Sequence, residues 1–293
     1  MMVSTADRLR PVPPALNREG DVVAALERLG ELAIGAHSDQ ASILPASGLL
    51  AMSIPASFGG ADISNLIVAE AVSRLVTWST AAAERLLRHL VALELVRTSG
   101  STEQRKAIYG RVVLGDVFEF AFQREGSLPP RLVQSGLAFA LEHGGGSDRA
   151  ITSADWQIVR AFSAGSEPVA AILDQTRVSL RDEDAKTELT VHPDFILSLG
   201  ENAESLAHLM TAFLMAASAR GKVGAMKQTT AADPSVAIEL ELLDGMIQKA
   251  ASLIDGIQVD DPPIDFAQID RFCLALDTAR LRCSGDHSPA TRS

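Results

Sequence analysis

The chain has 293 residues, 47% of them apolar but only 4% aromatic, and a formal net charge of −11. That length is ample for a buried core, and an apolar load carried by Ala, Leu and Val favours helices over an all-β fold. An acidic chain without a Lys/Arg cluster repels phosphate backbones, which argues against a nucleic-acid partner.

Residues 1–17, with Pro11, Pro13 and Pro14, read as a flexible arm lacking the apolar segment of a secretory signal. Residues 20–36 read as a helix with Val23, Leu26, Leu29 and Ala33 on one stripe. A turn-rich stretch follows, residues 37–47. The short apolar run 48–54 is then broken by Pro55 and by Gly59-Gly60, a pair that permits positive φ where the backbone reverses. Asp62 or Ser64 is placed to cap a helix running to Trp78, with Val68, Val72, Leu75 and Val76 inward. A third helix, residues 80–99, turns Leu86, Leu90, Leu93 and Val96 to a core, and Gly100 stands at its C′ position. Ser101-Thr-Glu-Gln104 is a capping box for a fourth helix, which Gly115 ends.

The pattern changes at Asp116. Residues 117–122 alternate as a strand, and further strands are expected at 137–142, 156–162, 169–173, 178–181 and 188–192. Gly144 to Asp148 reads as a turn, and the charged run 181–186 as a solvated loop. Helical periodicity returns at Glu201, in a helix to Gln228 with Leu206, Met210, Phe213 and Leu214 on its apolar face. Asp233-Pro234 opens a helix that Gly256 is expected to stop after Asp255, and a last helix spans 265–282. The expected division is an arm (1–17), an N-terminal helical domain (18–115), a reduced middle β-domain (116–195), a truncated C-terminal helical bundle (196–283) and a disordered tail (284–293). The fold class is mainly α with a small β-domain.

The longest near-apolar run, residues 209–219, is too short to span a bilayer. Cys273 and Cys283 fall on one helix, about 15 Å apart, beyond bridging distance. Two free thiols fit a reducing cytoplasm. The six histidines are scattered and suggest no metal site. His89, four residues after Arg85, reads as a snorkelling helix residue, with a pocket-facing role as the alternative. Trp156 reads as core. Met210, Met215 and Met226 read as bundle core or subunit interface.

Several local patterns carry a resemblance. Gly48-Leu-Leu-Ala-Met-Ser-Ile-Pro-Ala-Ser-Phe-Gly-Gly-Ala-Asp62, Gly100-Ser-Thr-Glu-Gln-Arg-Lys-Ala-Ile-Tyr109 with Leu114-Gly-Asp116, and Ala154-Asp-Trp-Gln-Ile-Val159 resemble segments of the acyl-CoA dehydrogenase superfamily of flavoproteins. The order helices, strands, helices is also that of the superfamily. The likeness is fullest over residues 20–127, patchy to 192, and a matter of helix order beyond. Gly60-Ala-Asp-Ile-Ser-Asn65 and Ala69-Glu70 are most similar to the flavin-dependent sulfur-compound monooxygenases, of the dimethylsulfone or dibenzothiophene type.

The resemblance implies a bound FAD or FMN and a reduced-flavin monooxygenase or acyl-CoA dehydrogenase activity on a small organic or acyl substrate. The monooxygenases attack substrate through a flavin hydroperoxide and draw reduced flavin from a separate reductase. The family's flavin-contacting turn matches Phe122-Gln-Arg-Glu-Gly-Ser127, so Phe122, Gln123 and Ser127 are implied cofactor contacts, with Gln123 where a threonine is usual. Thr152, in Ala150-Ile-Thr152, matches a second contact stretch whose aromatic residue is missing here. No catalytic residue is identified. The segment following the middle strands and the last helices of the family have no counterpart. That leaves a second expectation: a catalytically degenerate subunit packing with an intact paralogue, as a hetero-oligomer, in place of an active homo-oligomer. No membrane partner is expected.

Overall fold

The computed structural model describes residues 12–35, 40–123, 128–142, 154–175, 189–227, 234–259 and 266–284. Helix α1 (Glu19–Gly35) buries Val22, Ala25, Leu26 and Leu29. The inward stripe therefore starts at Val22, with Val23 only half-buried. Both registers satisfy helical spacing, and packing chose between them: the Gly30 backbone lies on the indole of Trp78, where a Cβ would come within 3.0 Å.

Two 3-10 turns, Leu49–Ala51 and Ala56–Phe58, form the bend around Pro55. Asp62 N–H donates to Ile54 O and Ile63 N–H to Met52 O, both at 2.9 Å, which closes the reversal. The two glycines serve different needs. Gly59 has φ 85° with open space around it, whereas a Cβ on Gly60 would collide with the Ile54 backbone.

Helix α2 (Asn65–Trp78) buries Val68, Val72, Leu75 and Val76. Ser64 occupies its N-cap without capping; the hydroxyl donates instead to Glu19 at 2.6 Å. The Asn65 N–H is met from outside the helix by Asp255 Oδ1 at 3.1 Å, so a tertiary carboxylate takes the place of the local cap. Helix α3 (Thr80–Ser99) is capped by Ser79, whose Oγ accepts from Ala82 N–H. Its buried residues lie on all sides, including Leu86, Leu87, Leu90, Val91, Leu95 and Val96, which marks it as the central helix. Gly100 follows it with φ −78°, not the left-handed C′ expected; a Cβ there would lie 2.6 Å from Val96 O. Helix α4 (Thr102–Val113) has the capping box, with Ser101 Oγ accepting from Gln104 N–H and Gln104 Oε1 accepting from Ser101 N–H. Gly115 ends it at φ 96°.

Among the described residues, seven strands form one mixed sheet: β1 (Phe118–Ala121), β2 (Arg131–Ser135), β3 (Ala138–Glu142), β4 (Trp156–Phe162), β5 (Pro168–Asp174), β6 (Leu189–Val191) and β7 (Ile196–Ser198). The order is β6-β3-β2-β4-β5-β7, with β1 parallel to β4 from Phe118↔Trp156 to Ala121↔Val159. Strands β2 and β7 were not expected. The first has only two adjacent apolar residues, Leu132 and Val133, behind a Pro-Pro pair, and the second is three residues long. The expected strand at 178–181, the turn at Gly144 to Asp148 and the loop at 181–186 lie outside the described residues. The sheet alternates as period two requires: Trp156, Ile158, Ala170 and Ile172 join the helical core, while Ala161, Val169, Ala171 and Leu173 join a smaller cluster with Leu132, Leu141 and Val191.

Helices α5 (Glu201–Lys227), α6 (Pro234–Gln258) and α7 (Phe266–Ser284) follow the sheet. A Cβ on Gly221 would strike Ser73 O, so that glycine lets α5 lie against α2, and Ser73 Oγ donates to Ala217 O at 2.6 Å. Arg220 of α5 joins Glu70 of α2 and Asp244 of α6. Helix α6 does not stop at Gly256. A helical glycine costs about 1 kcal/mol relative to alanine, and here the last turn is held by bonds from Asn65 to Asp255 and Gln258. Cys273 and Cys283 are buried on α7, and burial pushes the Cys273 thiol up to about 11. Met210 is core, whereas Met215 and Met226 are exposed. No helix among the described residues is long and apolar enough to cross a membrane.

The glycine pair gives a direct test. Gly60→Ala should lower unfolding free energy by about 3 kcal/mol through overpacking, and Gly59→Ala by about 1 kcal/mol through its left-handed φ. Urea denaturation of the two variants measures both, and equal losses would refute this division of labour.

Candidate functional site

Helix α3 and strand β1 meet at His89. The ring is fully buried; Nε2 lies 3.0 Å from Leu50 O, and Nδ1 lies 3.1 Å from Phe118 N and 3.0 Å from Phe118 O. A neutral ring protonated on Nε2 satisfies the site: Nε2–H donates to Leu50 O and Nδ1 accepts the Phe118 N–H. Burial lowers the pKa of His89 to about 4 against the pull of the two carbonyls. Neither role expected for this residue holds: it neither snorkels nor faces a pocket, but ties three segments together.

The start of β1 is fixed from β4. Asp155 Oδ2 accepts Val117 N–H at 2.9 Å. Asp116 accepts the indole N–H of Trp156 at 2.9 Å and pairs with Arg111 at 2.8 Å. Trp156, buried as expected, stacks on Phe118 and on Phe195, with ring centroids 5.6 Å apart in both pairs. One residue beyond Phe118, Glu119 forms an ion pair with Arg85 of α3 at 3.1 Å, with both side chains buried. A buried pair of this kind fixes register more than it adds stability.

At its far end β1 delivers Phe122 and Gln123. Phe122 is 38% exposed, packs edge-on against Phe120 at 5.3 Å, and lies under the half-buried guanidinium of Arg88 at 5.0 Å. Gln123 is exposed. Ser127 and Thr152, the other two implied cofactor contacts, lie outside the described residues. Sequence reasoning passed over Arg88 and Glu119. The signal available was the spacing Arg85, Arg88, His89, which puts three polar side chains on one helix face. Among the described residues no group of three or more His, Cys, Asp or Glu side chains converges on a metal site.

An exposed phenyl ring beside an exposed amide offers a flat surface plus one donor and one acceptor. That combination suits a planar heteroaromatic ring carrying both kinds of group.

The depressed pKa of His89 sets an acid limb for stability. The unfolded chain takes up this proton near pH 6.5 and the folded chain only near 4, so the stabilisation is complete above about 6.5 and shrinks as pH falls towards 4. The loss is about 3 kcal/mol. His89→Leu should abolish that limb and also lower stability at neutral pH by about 3 kcal/mol, because Leu50 O and Phe118 N–H lose their partner. Urea unfolding from about pH 4.5 to about pH 7.5 measures both effects. An unchanged acid limb in the variant would assign the proton elsewhere.

No family model and no curated protein matches the sequence. Solved structures do resemble the fold. Methanesulfinate monooxygenase from Pseudomonas fluorescens superposes with a TM-score of 0.65 at 14% identity, covering 92% of this chain and 83% of its own. Dibenzothiophene monooxygenase from Paenibacillus sp. A11-2 gives 0.64 at 14% identity, covering 90% and 81%, and has also been solved with FMN and indole. XiaF from Streptomyces sp., in complex with FADH2 and glycerol, gives 0.66 at 14% identity, covering 94% and 87%. The chain thus has the acyl-CoA dehydrogenase-like fold.

Proposed function

We propose that this protein is a flavin-dependent oxidoreductase of the monooxygenase type, taking FMN or FAD and acting on a small organic substrate. The observation that carries the reading is the fold shared over at least nine-tenths of the chain with structures holding FMN or FADH2. The end of β1, where Phe122 and Gln123 face outward, supports it.

Phe122 supplies the apolar surface against the flavin ring, and Gln123, with Ser127 and Thr152, supplies hydrogen bonds. Bound reduced flavin would supply the electrons that activate oxygen. The chain's own contribution is positional. Arg88 holds the Phe122 ring by a cation–π contact, worth about 1 kcal/mol at a part-exposed site. His89 fixes the strand that carries Phe122, and the Arg85–Glu119 pair fixes its register on α3. A separate flavin reductase is the partner this chemistry calls for.

A second reading has its own observation. Ile238, Leu242 and Leu274 are each at least 60% exposed on α6 and α7, and Leu242 and Leu274 line a groove with Met246 and Ala275. Apolar surface of that kind suits a degenerate subunit packing with an intact paralogue.

Titration of the purified chain with FMN and with FAD, followed by the flavin absorbance band and fluorescence quenching, tests the first reading. Saturable binding is expected, weakened about tenfold or more, roughly 1.4 kcal/mol, in Phe122→Ala and Gln123→Ala. No binding at high micromolar flavin would sink the active-enzyme reading for the isolated chain. Binding regained only on co-expression with a full-length relative would favour the second reading.

A further inference from the structure

Among the described residues, four buried side-chain polar atoms have no hydrogen-bond partner: Ser53 Oγ, Glu94 Oε1, Ser99 Oγ and Arg105 Nε. Buried polar groups in folded proteins are almost always paired, and these gather at one junction. It lies between the last turns of α3, the bend that begins at Ser53, and the first turn of α4. Arg97 spans it: its guanidinium donates to Ser53 O, and its Nε stands 3.6 Å from Glu94 Oε2. The Arg105 side chain lies against Gly100 on the far side.

Helix α6 reaches the same junction. Gln258 Nε2 donates to Glu94 Oε2 at 2.8 Å. Gln258 Oε1 accepts from Asn65 Nδ2 at 3.0 Å, and that Nδ2 also donates to Asp255 Oδ1 at 2.6 Å. Glu94 therefore terminates a chain of hydrogen bonds that fastens the last turn of α6 to the start of α2 and to α3. This is the turn that runs through Gly256.

We propose that Glu94 is a proton-operated latch: protonated, it seats the last turn of α6 on α2 and α3, and ionised, it loosens that seat. One carboxyl oxygen is engaged by Gln258; the other is buried without a partner. A neutral carboxyl tolerates that position, whereas a carboxylate needs both oxygens solvated or paired. The charged and titratable groups facing it are Arg97 on its own helix, Arg105 and Tyr109 on α4, and Asp255 on α6 through Asn65; the bend contributes only the neutral Ser53. Arg97 is the nearest cation, but it sits beyond hydrogen-bond distance of Glu94 and is committed to Ser53 O. Burial holds the Glu94 carboxyl above the usual carboxylate range, and Arg97, Gln258 and Thr98 only partly oppose it. A folded pKa raised in this way gives stability that is complete at low pH and is lost as pH rises through the raised value. Its window and sign are thus opposite to those of His89.

Hydrogen exchange of the full chain, followed by mass spectrometry from about pH 6.5, where the His89 limb is complete, to about pH 9 and corrected for intrinsic rates, tests the latch. Protection of the peptide covering residues 246–259 should fall as pH rises, by up to about tenfold per pH unit for one linked proton. A peptide from α1 should hold steady. Glu94→Gln should remove the fall; the same pH slope in both proteins overturns the proposal. Should that variant not fold, Gln258→Met cuts the chain while leaving Glu94 in place. It should show low protection at every pH with no slope, and a retained slope overturns the proposal equally.

Discussion

A buried imidazole anchors the first strand of the sheet to the central helix. His89 of α3 bonds both the Leu49–Ala51 turn and strand β1, through Leu50 O and Phe118 N–H. Because both partners are main-chain groups, the bonds fix backbone position whatever side chains surround them. Phe118 then stacks on Trp156, which opens the central strand β4, and Trp156 is itself held by Asp116. The path from α3 to the central strand is therefore two contacts long. The outward delivery of Phe122 at the end of β1, on which the proposed flavin site rests, follows from the same anchoring.

Elsewhere the elements are joined by polar side chains, some half-buried and some fully buried. Arg220 ties α5 to α2 and α6, Arg85 ties α3 to β1, and Asn65 ties α2 to α6. Apolar contact alone allows helices rich in Ala and Leu to slide by a turn at little cost, since the ridges are alike. A buried ion pair or amide contributes little net stability, but it penalises every misaligned register by leaving a charge or donor unpaired. Glu94 is the exception within this scheme, because its partners satisfy only one of its two oxygens. In the proposed latch it couples helix packing to solution pH, with a sign opposite to that of His89.

Helix boundaries were the most legible part of the chain, wherever their signals are local. The capping box at Ser101 and the positive φ of Gly115 involve neighbours a few residues apart, and both stand as read. Signals that depend on a distant partner were misread. Ser64 looked like a cap and Gly256 like a stop, yet Asp255 caps α2 from across the molecule and the same junction carries α6 past Gly256. Strands β2 and β7 were invisible for a related reason: each is too short to show alternation and exists because a neighbouring strand offers it a ladder. For the proposed site, Phe122 and Gln123 come from motif likeness, whereas Arg88 and Glu119 became visible only once α3 lay on β1.

By itself the sequence determined which segments are helical, where the central strand lies, and that the order helices, strands, helices matches the acyl-CoA dehydrogenase-like plan. Those properties are written in periodicity, caps and glycines that act over a few residues. Only the tertiary structure decided that His89 is a neutral tether and not a surface residue, that Gly60 and Gly100 answer steric needs while Gly59 answers a dihedral one, and that Glu94 meets Gln258, 164 positions further along the chain. A side chain's protonation and partners depend on what is buried around it, and burial is a property of the packed whole.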